Sequence, residues 1–388
     1  MPPADDLPPG PPLPDAVREA LLAPLVDHHC HGVRRDDLGR AAFELLITEA
    51  ATPAPPGTTH FDTPIGAAIR RWCAPVLDLA PHAPPAVYLA RRAELGAAEV
   101  NRRLLRQAGI VAFLVDTGLN GAGLLSAAEM GRLGGAAADE IVRLERVEET
   151  VARSVGGAAE YPGALAEALA AAAARAVGLK TVIAYRYGLD FDIERPGRGA
   201  VVAAAGRRLA DPKARLTDPV LLRHLLWSGV DVARQRSLPV QFHCGYGDPD
   251  IDLHRADPAL LTGFIRALQP GGVPLILLHC YPFHRQAAYL ASVYPHVYVD
   301  LGLALTHTAA GSAAIVDELL ELVPFHKQMF SSDCYGVAET CHLGALYYRR
   351  GLARALAVRI GEGEWSAADA ARVAHMIGAG NARRVYRL

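Results

Sequence analysis

Short apolar runs rich in β-branched residues recur along the chain, each followed by a polar or glycine-containing turn and then by a longer stretch of helical character. That alternation argues an α/β fold built on buried parallel strands. The runs predict strands over residues 24–27, 110–116, 140–147, 178–185, 239–243, 274–279, 297–300 and 328–332. Eight of them predict a closed (β/α)8 TIM-type barrel. Helices are expected between them, among others over 84–107, 163–176, 218–236, 257–268 and 309–322. The rival, an open doubly wound sheet, commonly carries a GxGxxG turn after its first strand, and none is present here.

Two stretches stand outside the alternation. Residues 1–16 are dense in proline and predict an extended N-terminal arm, which leaves 17–388 as one barrel domain. Residues 32–84 are too long for a simple connection after the first strand and predict an insertion, helical in part, that caps the mouth of the site.

In a parallel barrel the C-terminal ends of all strands meet on one face. The first run closes on Asp27-His28-His29-Cys30-His31, and alternation along an extended segment turns His29 and His31 to one side. Run five ends in His243, run six in His279 and run eight in Asp333. Imidazoles with one carboxylate suit a divalent ion of the zinc class with a position left open for water. The expected ligands are His29, His31, His243 and Asp333. His28 points away by alternation, toward packing or a supporting hydrogen bond, and Asp27 is placed to orient a ligating imidazole. His254 and His284 follow strands five and six closely enough to reach a substrate, whereas His307 and the other histidines lack that context.

The ordered set of HxH on the first strand, histidines on the fifth and sixth and aspartate on the eighth resembles the amidohydrolase superfamily over residues 24–388. Within it the chain is most similar to the amidohydrolase 2 branch, in particular the FluG-type amidohydrolase half of glutamine-synthetase fusion proteins. Gly178-Leu-Lys-Thr-Val-Ile-Ala-Tyr-Arg186, Ser332-Asp333 and Asn381-Ala-Arg-Arg-Val-Tyr386 carry that likeness. The resemblance implies a metal-dependent, homo-oligomeric (β/α)8 enzyme. It also implies either a carbamylated Lys180 bridging two metals or, as the branch commonly has it, a single ion. One ion is favoured, zinc first, with manganese or iron as alternatives; Lys180 is otherwise a catalytic or substrate-contacting group or a member of a structural ion pair.

The implied chemistry is hydrolysis of a C–N bond in a small, carboxylate-bearing amide or related compound by metal-activated water. Asp333 serves as ligand and base, and His279 polarises the substrate oxygen. Tyr185, Arg186, Gln241 and His284 are expected substrate contacts, with Arg186 either gripping a carboxylate or held in a structural pair. The alternative is non-oxidative decarboxylation, or hydration, of an aromatic or enol acid.

Composition narrows the partners rather than the fold. Thirty-nine basic residues against forty-one acidic leave a formal charge of −2, so no broad field draws nucleic acid or an anionic membrane. A small molecule is the expected partner. The sequence shows no apolar run of membrane-spanning length and no N-terminal targeting pattern, which predicts a cytoplasmic protein. Six scattered cysteines without CxxC pairs predict reduced thiols that fill the core.

Overall fold

The fold is that of a computed structural model, which describes residues 7, 13–119 and 123–388. Most of the proline-rich arm lies outside the described residues; Leu7 is buried, and the helix Asp15–Leu22 opens before the predicted end of the arm.

Among the described residues seven strands form one parallel sheet in chain order. They are β1 Leu25–Cys30, β2 Ile110–Asp116, β3 Ala137–Arg143, β4 Gly178–Thr181, β5 Val240–Cys244, β6 Leu275–His279 and β7 Val297–Val299. Residues 328–334 close the ring in the eighth position. On one side the Met329 amide donates to the Val299 carbonyl (3.1 Å); on the other, His28 donates to Phe330 (3.2 Å), Asp333 to His29 (3.1 Å) and His31 to Cys334 (2.7 Å). The predicted eighth strand is therefore paired on both edges without being regular. The Asp27 carboxylate captures the Ser332 amide at 2.9 Å, and Asp333 turns left-handed with φ +49°.

Closure leaves two apolar layers. The ring encloses Val26, Ala112, Leu114, Ile141, Ile276, Leu278 and Met329, with Val385 and Tyr386 of the helix Asn381–Tyr386 packed against them. The outer faces of the strands pack on the helices, and each large apolar side chain so buried contributes roughly 1.5–3 kcal/mol. Both faces are dry, which is why the strands read as continuous apolar runs.

Several predicted boundaries move for identifiable reasons. β3 ends at Arg143 rather than running on to residue 147, because Leu144, Val147 and Val151 recur at helical spacing and begin the helix Leu144–Ser154. β4 stops at Thr181 rather than at residue 185. There the Glu145 carboxylate accepts from the Thr181 hydroxyl (2.6 Å) and the Val182 amide (2.9 Å), diverting the next donor of the ladder into a helical turn, Ile183–Arg186. The expected helix over 84–107 is two, Pro85–Leu95 and Ala97–Gln107, broken at Gly96 with φ +75°. The segment after β1 holds the short helices Arg40–Glu44 and Pro64–Ala68, and its residues 45, 46 and 48–51 reach the cavity at the strand ends. No helix among the described residues is long and apolar enough to cross a membrane.

Candidate functional site

His29 and His31 leave β1 on the same side, and their Nε2 atoms lie 3.1 and 3.4 Å from one oxygen, Asp333 Oδ1. The ligand atoms of these three residues all fall within 4.8 Å of one another. What stands behind each ring decides its protonation. His29 Nδ1 is 2.9 Å from Gln241 Oε1, and His31 Nδ1 is 3.1 Å from the Asp116 carbonyl. Both partners accept, so each Nδ1 carries the proton and each Nε2 turns a lone pair inward. Two lone pairs converging on a carboxylate oxygen repel it. That oxygen is buried and makes no hydrogen bond among the described residues. The donor set and its orphaned oxygen fit a divalent cation.

The other two histidines are in the opposite state. His279 Nδ1 takes the Leu303 amide at 3.4 Å, which leaves the proton on Nε2, 3.5 Å from Asp333 Oδ2. Its backbone sits at φ +68°, an uncommon conformation for histidine, and is held there by its own amide donating to Asp300 Oδ1 at 2.6 Å. His243 was expected as a ligand, but its Nε2 donates to the Tyr246 carbonyl at 3.1 Å, outside the cluster of His29, His31 and Asp333. Its ring packs against that of His279, with centroids 4.7 Å apart and planes tilted by 56°. Two imidazoles are thus presented as ligands and two as donors.

Burial favours neutral rings in both groups. Burial, reinforced by the Lys180 charge, lowers His29 to about 3. Burial likewise lowers His243 and His279. Burial works to raise Asp333, yet the carboxylate is held well below its usual range, with His279 the largest lowering influence. Lys180, wholly buried with Nζ 3.2 Å from His29 Nε2, is lowered by burial to about 8 against the pull of Asp116 and Asp333. Around neutral pH His29, His243 and His279 are therefore uncharged and Asp333 ionised, the forms a cation requires.

The cluster lies at the floor of a cavity of about 700 Å³, with Glu49, Arg153, Lys213 and His307 among its walls. A second cavity of about 770 Å³, bounded by Leu22, Pro24 and Ile110 at the opposite ends of the strands, holds none of these ligand groups. Tyr185 and Arg186 line the first cavity from the helical turn after β4, with the Tyr185 ring 4.5 Å from that of His243. Arg186 Nη2 donates to Glu149 at 3.0 Å, while its buried Nε has no partner among the described residues.

Three expected roles change. Gln241 does not face the cavity: it is fully buried, with its amide taken by His29, the His28 carbonyl (2.8 Å) and the Tyr386 hydroxyl (2.8 Å). His284 is held on the helix His284–Val293 by Glu318, 2.5 Å away, and does not line the cavity. Asp27 binds the amide and hydroxyl of Ser332 and so fixes the segment leading to Asp333 rather than an imidazole.

Asp116 and Arg143, joined at 2.6 Å, end β2 and β3; the strand-end test applied to the histidines would have found Asp116, whereas Arg143 falls inside the run predicted to reach residue 147. His307, which no strand-end pattern marks, reaches the cavity and lies 3.3 Å from Glu49 of the insertion.

A tight approach tests the placement of His279. Gly302 has φ +28°, and a Cβ there would lie 2.4 Å from His279 Nδ1. Gly302→Ala is expected to push the ring aside and lower kcat by roughly 100-fold, the scale of a displacement near 1 Å. Metal content should stay unchanged; wild-type kcat would show that the ring position does not matter.

Comparison with known proteins places this geometry in a family. The Amidohydro_2 family model, described as amidohydrolase, matches residues 26–388. A solved chain from Lactobacillus casei ATCC 334, assigned as a metal-dependent hydrolase, superposes with a TM-score of 0.82 at 26% identity, covering 94% of this chain and 95% of that one. Protein fluG of Emericella nidulans is 33% identical over 223 residues, 55% of this chain and 26% of its own length, so this chain matches about a quarter of that protein. A uronate isomerase from Bacillus halodurans shares the fold at a TM-score of 0.65 and 13% identity, covering 96% of each chain. With the match running through every strand end that carries the inward imidazoles and their carboxylate, the chain belongs to the amidohydrolase family and is a metal-dependent hydrolase.

Proposed function

We propose that this enzyme hydrolyses a C–N bond in a small, carboxylate-bearing amide or related compound, using one zinc ion held by His29, His31 and Asp333. The carrying observation is the buried Asp333 Oδ1, faced by two imidazole lone pairs at 3.1 and 3.4 Å and lacking a hydrogen bond. Three nitrogen and oxygen donors with one side open to a cavity suit zinc in a catalytic rather than a structural setting.

Bound there, such an ion supplies a water acidic enough to lose its proton near neutral pH. The Asp333 carboxylate takes that proton as the water oxygen bonds to the carbonyl carbon, and returns it to the nitrogen as the C–N bond breaks. His279 Nε2–H, directed over Asp333 Oδ2, donates to the carbonyl oxygen as negative charge develops on it. His243 and Tyr185 pack beside it and exclude solvent from that face. The Arg186 side chain, which lines the cavity, offers its guanidinium to the substrate carboxylate.

The test is a product assay on protein reconstituted with zinc. N-acyl amino acids and related amides are expected to release amine or ammonia. Aromatic and enol acids should yield no CO2, and turnover confined to CO2 release would overturn the reading. Arg186→Ala is expected to raise KM for a carboxylate substrate by roughly 10- to 100-fold, the loss of one charge-assisted contact. KM for the neutral amide of the same compound should barely change; equal effects on both would remove the carboxylate contact.

A further inference from the structure

The helix Asn381–Tyr386 closes the interior of the barrel, docked where Asn381 Nδ2 donates to the carbonyls of Phe325 and Gln328, both at 2.7 Å. Packing alone would ask only for an apolar residue at its end. Instead Tyr386, 4% exposed, brings its hydroxyl between two buried polar groups, 2.8 Å from Gln241 Nε2 and 3.1 Å from His28 Nδ1. Its ring stacks on His28 with centroids 5.7 Å apart.

The directions of these hydrogen bonds can be worked out in turn. Gln241 Nε2 donates to the His28 carbonyl, so the nitrogen of that amide lies on the His28 and Tyr386 side and Oε1 on the His29 side. The Tyr386 oxygen therefore accepts from Gln241, and its own proton goes to His28 Nδ1. That leaves the His28 proton on Nε2, 2.8 Å from Asp300 Oδ2. Asp300 is fixed in turn by the Ser331 hydroxyl (2.7 Å) and by the His279 amide (2.6 Å). The chain runs one way, from His28, whose Nε2 meets Asp300 as a close ion-pair contact rather than an aligned hydrogen bond, through Tyr386 and Gln241 to His29, and every member is buried. Its far end is a proton on His29 Nδ1 and a lone pair on Nε2.

We propose that Tyr386 and Gln241 are positioning residues for the metal centre: through this directed chain, the helix that closes the barrel sets the tautomer in which His29 meets a cation. The inference rests on His29 being a ligand, as the proposed function has it. Supporting groups that orient a ligating imidazole typically carry 10- to 100-fold in metal affinity. A merely structural plug would carry stability and leave affinity alone.

The experiment compares wild type, Tyr386→Phe and Val385→Ala, a helix neighbour that packs in the barrel without joining the chain. Zinc affinity is read by competition with a chelator, stability by thermal melting, and the His29 tautomer by ¹⁵N NMR of metal-free, histidine-labelled protein, assigned with His29→Gln. Tyr386→Phe is expected to weaken zinc binding by about 10- to 100-fold and to mix the His29 tautomers. Val385→Ala should lower only the melting temperature.

Wild-type affinity in Tyr386→Phe, or equal weakening in both variants, would overturn the proposal. So would an Nε2-protonated His29 in metal-free wild type, a result readable even if Tyr386→Phe fails to fold. Wild type that binds no zinc at all would instead sink the functional reading, which keeps the two failures apart.

Discussion

Asp333→Asn is expected to give a folded protein whose kcat/KM falls by at least about 1,000-fold, within the range of a lost general base. Folding should survive because asparagine matches the shape of aspartate and tolerates the left-handed backbone, φ +49°, that this position adopts. Function should not survive, for two additive reasons. The amide is no base, and the oxygen that faces His29 and His31 at 3.1 and 3.4 Å loses its negative charge. Zinc affinity is therefore expected to drop alongside turnover. Steady-state kinetics on the best amide of the panel, run at saturating zinc, separates the two causes. If excess metal restores wild-type rates, Asp333 is a ligand only and the base lies elsewhere; near-normal kinetics without added metal would remove both roles.

How far this site was legible in the sequence follows from which facts are local. An apolar run that ends in histidine or aspartate places that residue at the mouth of a parallel ring whatever the rest of the chain does, and His29, His31, His279 and Asp333 all came out there. Alternation along β1 also paired His29 with His31 and left His28 to a supporting hydrogen bond, although the register shift between Asp27 and Cys30 turns the His28 ring into the barrel toward Tyr386.

Protonation is not local. The acceptor that fixes His29 is Gln241, 212 positions away, and the one that fixes His31 is the carbonyl of Asp116, 85 positions away. Without those partners, all the strand-end histidines look alike. The same limit misplaced the end of β4: Val182 is as apolar as its neighbours, and only the Glu145 carboxylate, from the helix after β3, ends that ladder. Gln241 lies on the strand face the alternation assigned to it. Its distance from substrate depends on a tyrosine arriving from the far side of the barrel, which no pattern around residue 241 announces.

The division of the histidines into ligands and donors yields the sharpest contrast, between His29→Ala and His243→Ala. His29→Ala removes an inward lone pair and leaves Lys180 Nζ and Gln241 Oε1 without the ring that now satisfies both. Zinc is expected to be lost and activity with it, while unsatisfied buried groups cost about 1–3 kcal/mol of stability. His243→Ala removes a ring whose proton is engaged by the Tyr246 carbonyl, so zinc should remain stoichiometric. Activity should nonetheless fall by roughly 100-fold, because His279 loses the ring packed against it at 4.7 Å and a displacement near 1 Å costs about that much. Elemental analysis of both variants after the same dialysis reads the difference directly. Should His243→Ala come through without its zinc, the bond to Tyr246 must give way when the cation binds and His243 must swing inward as a fourth ligand; full zinc in His29→Ala would leave the inward lone pair without the role its geometry implies.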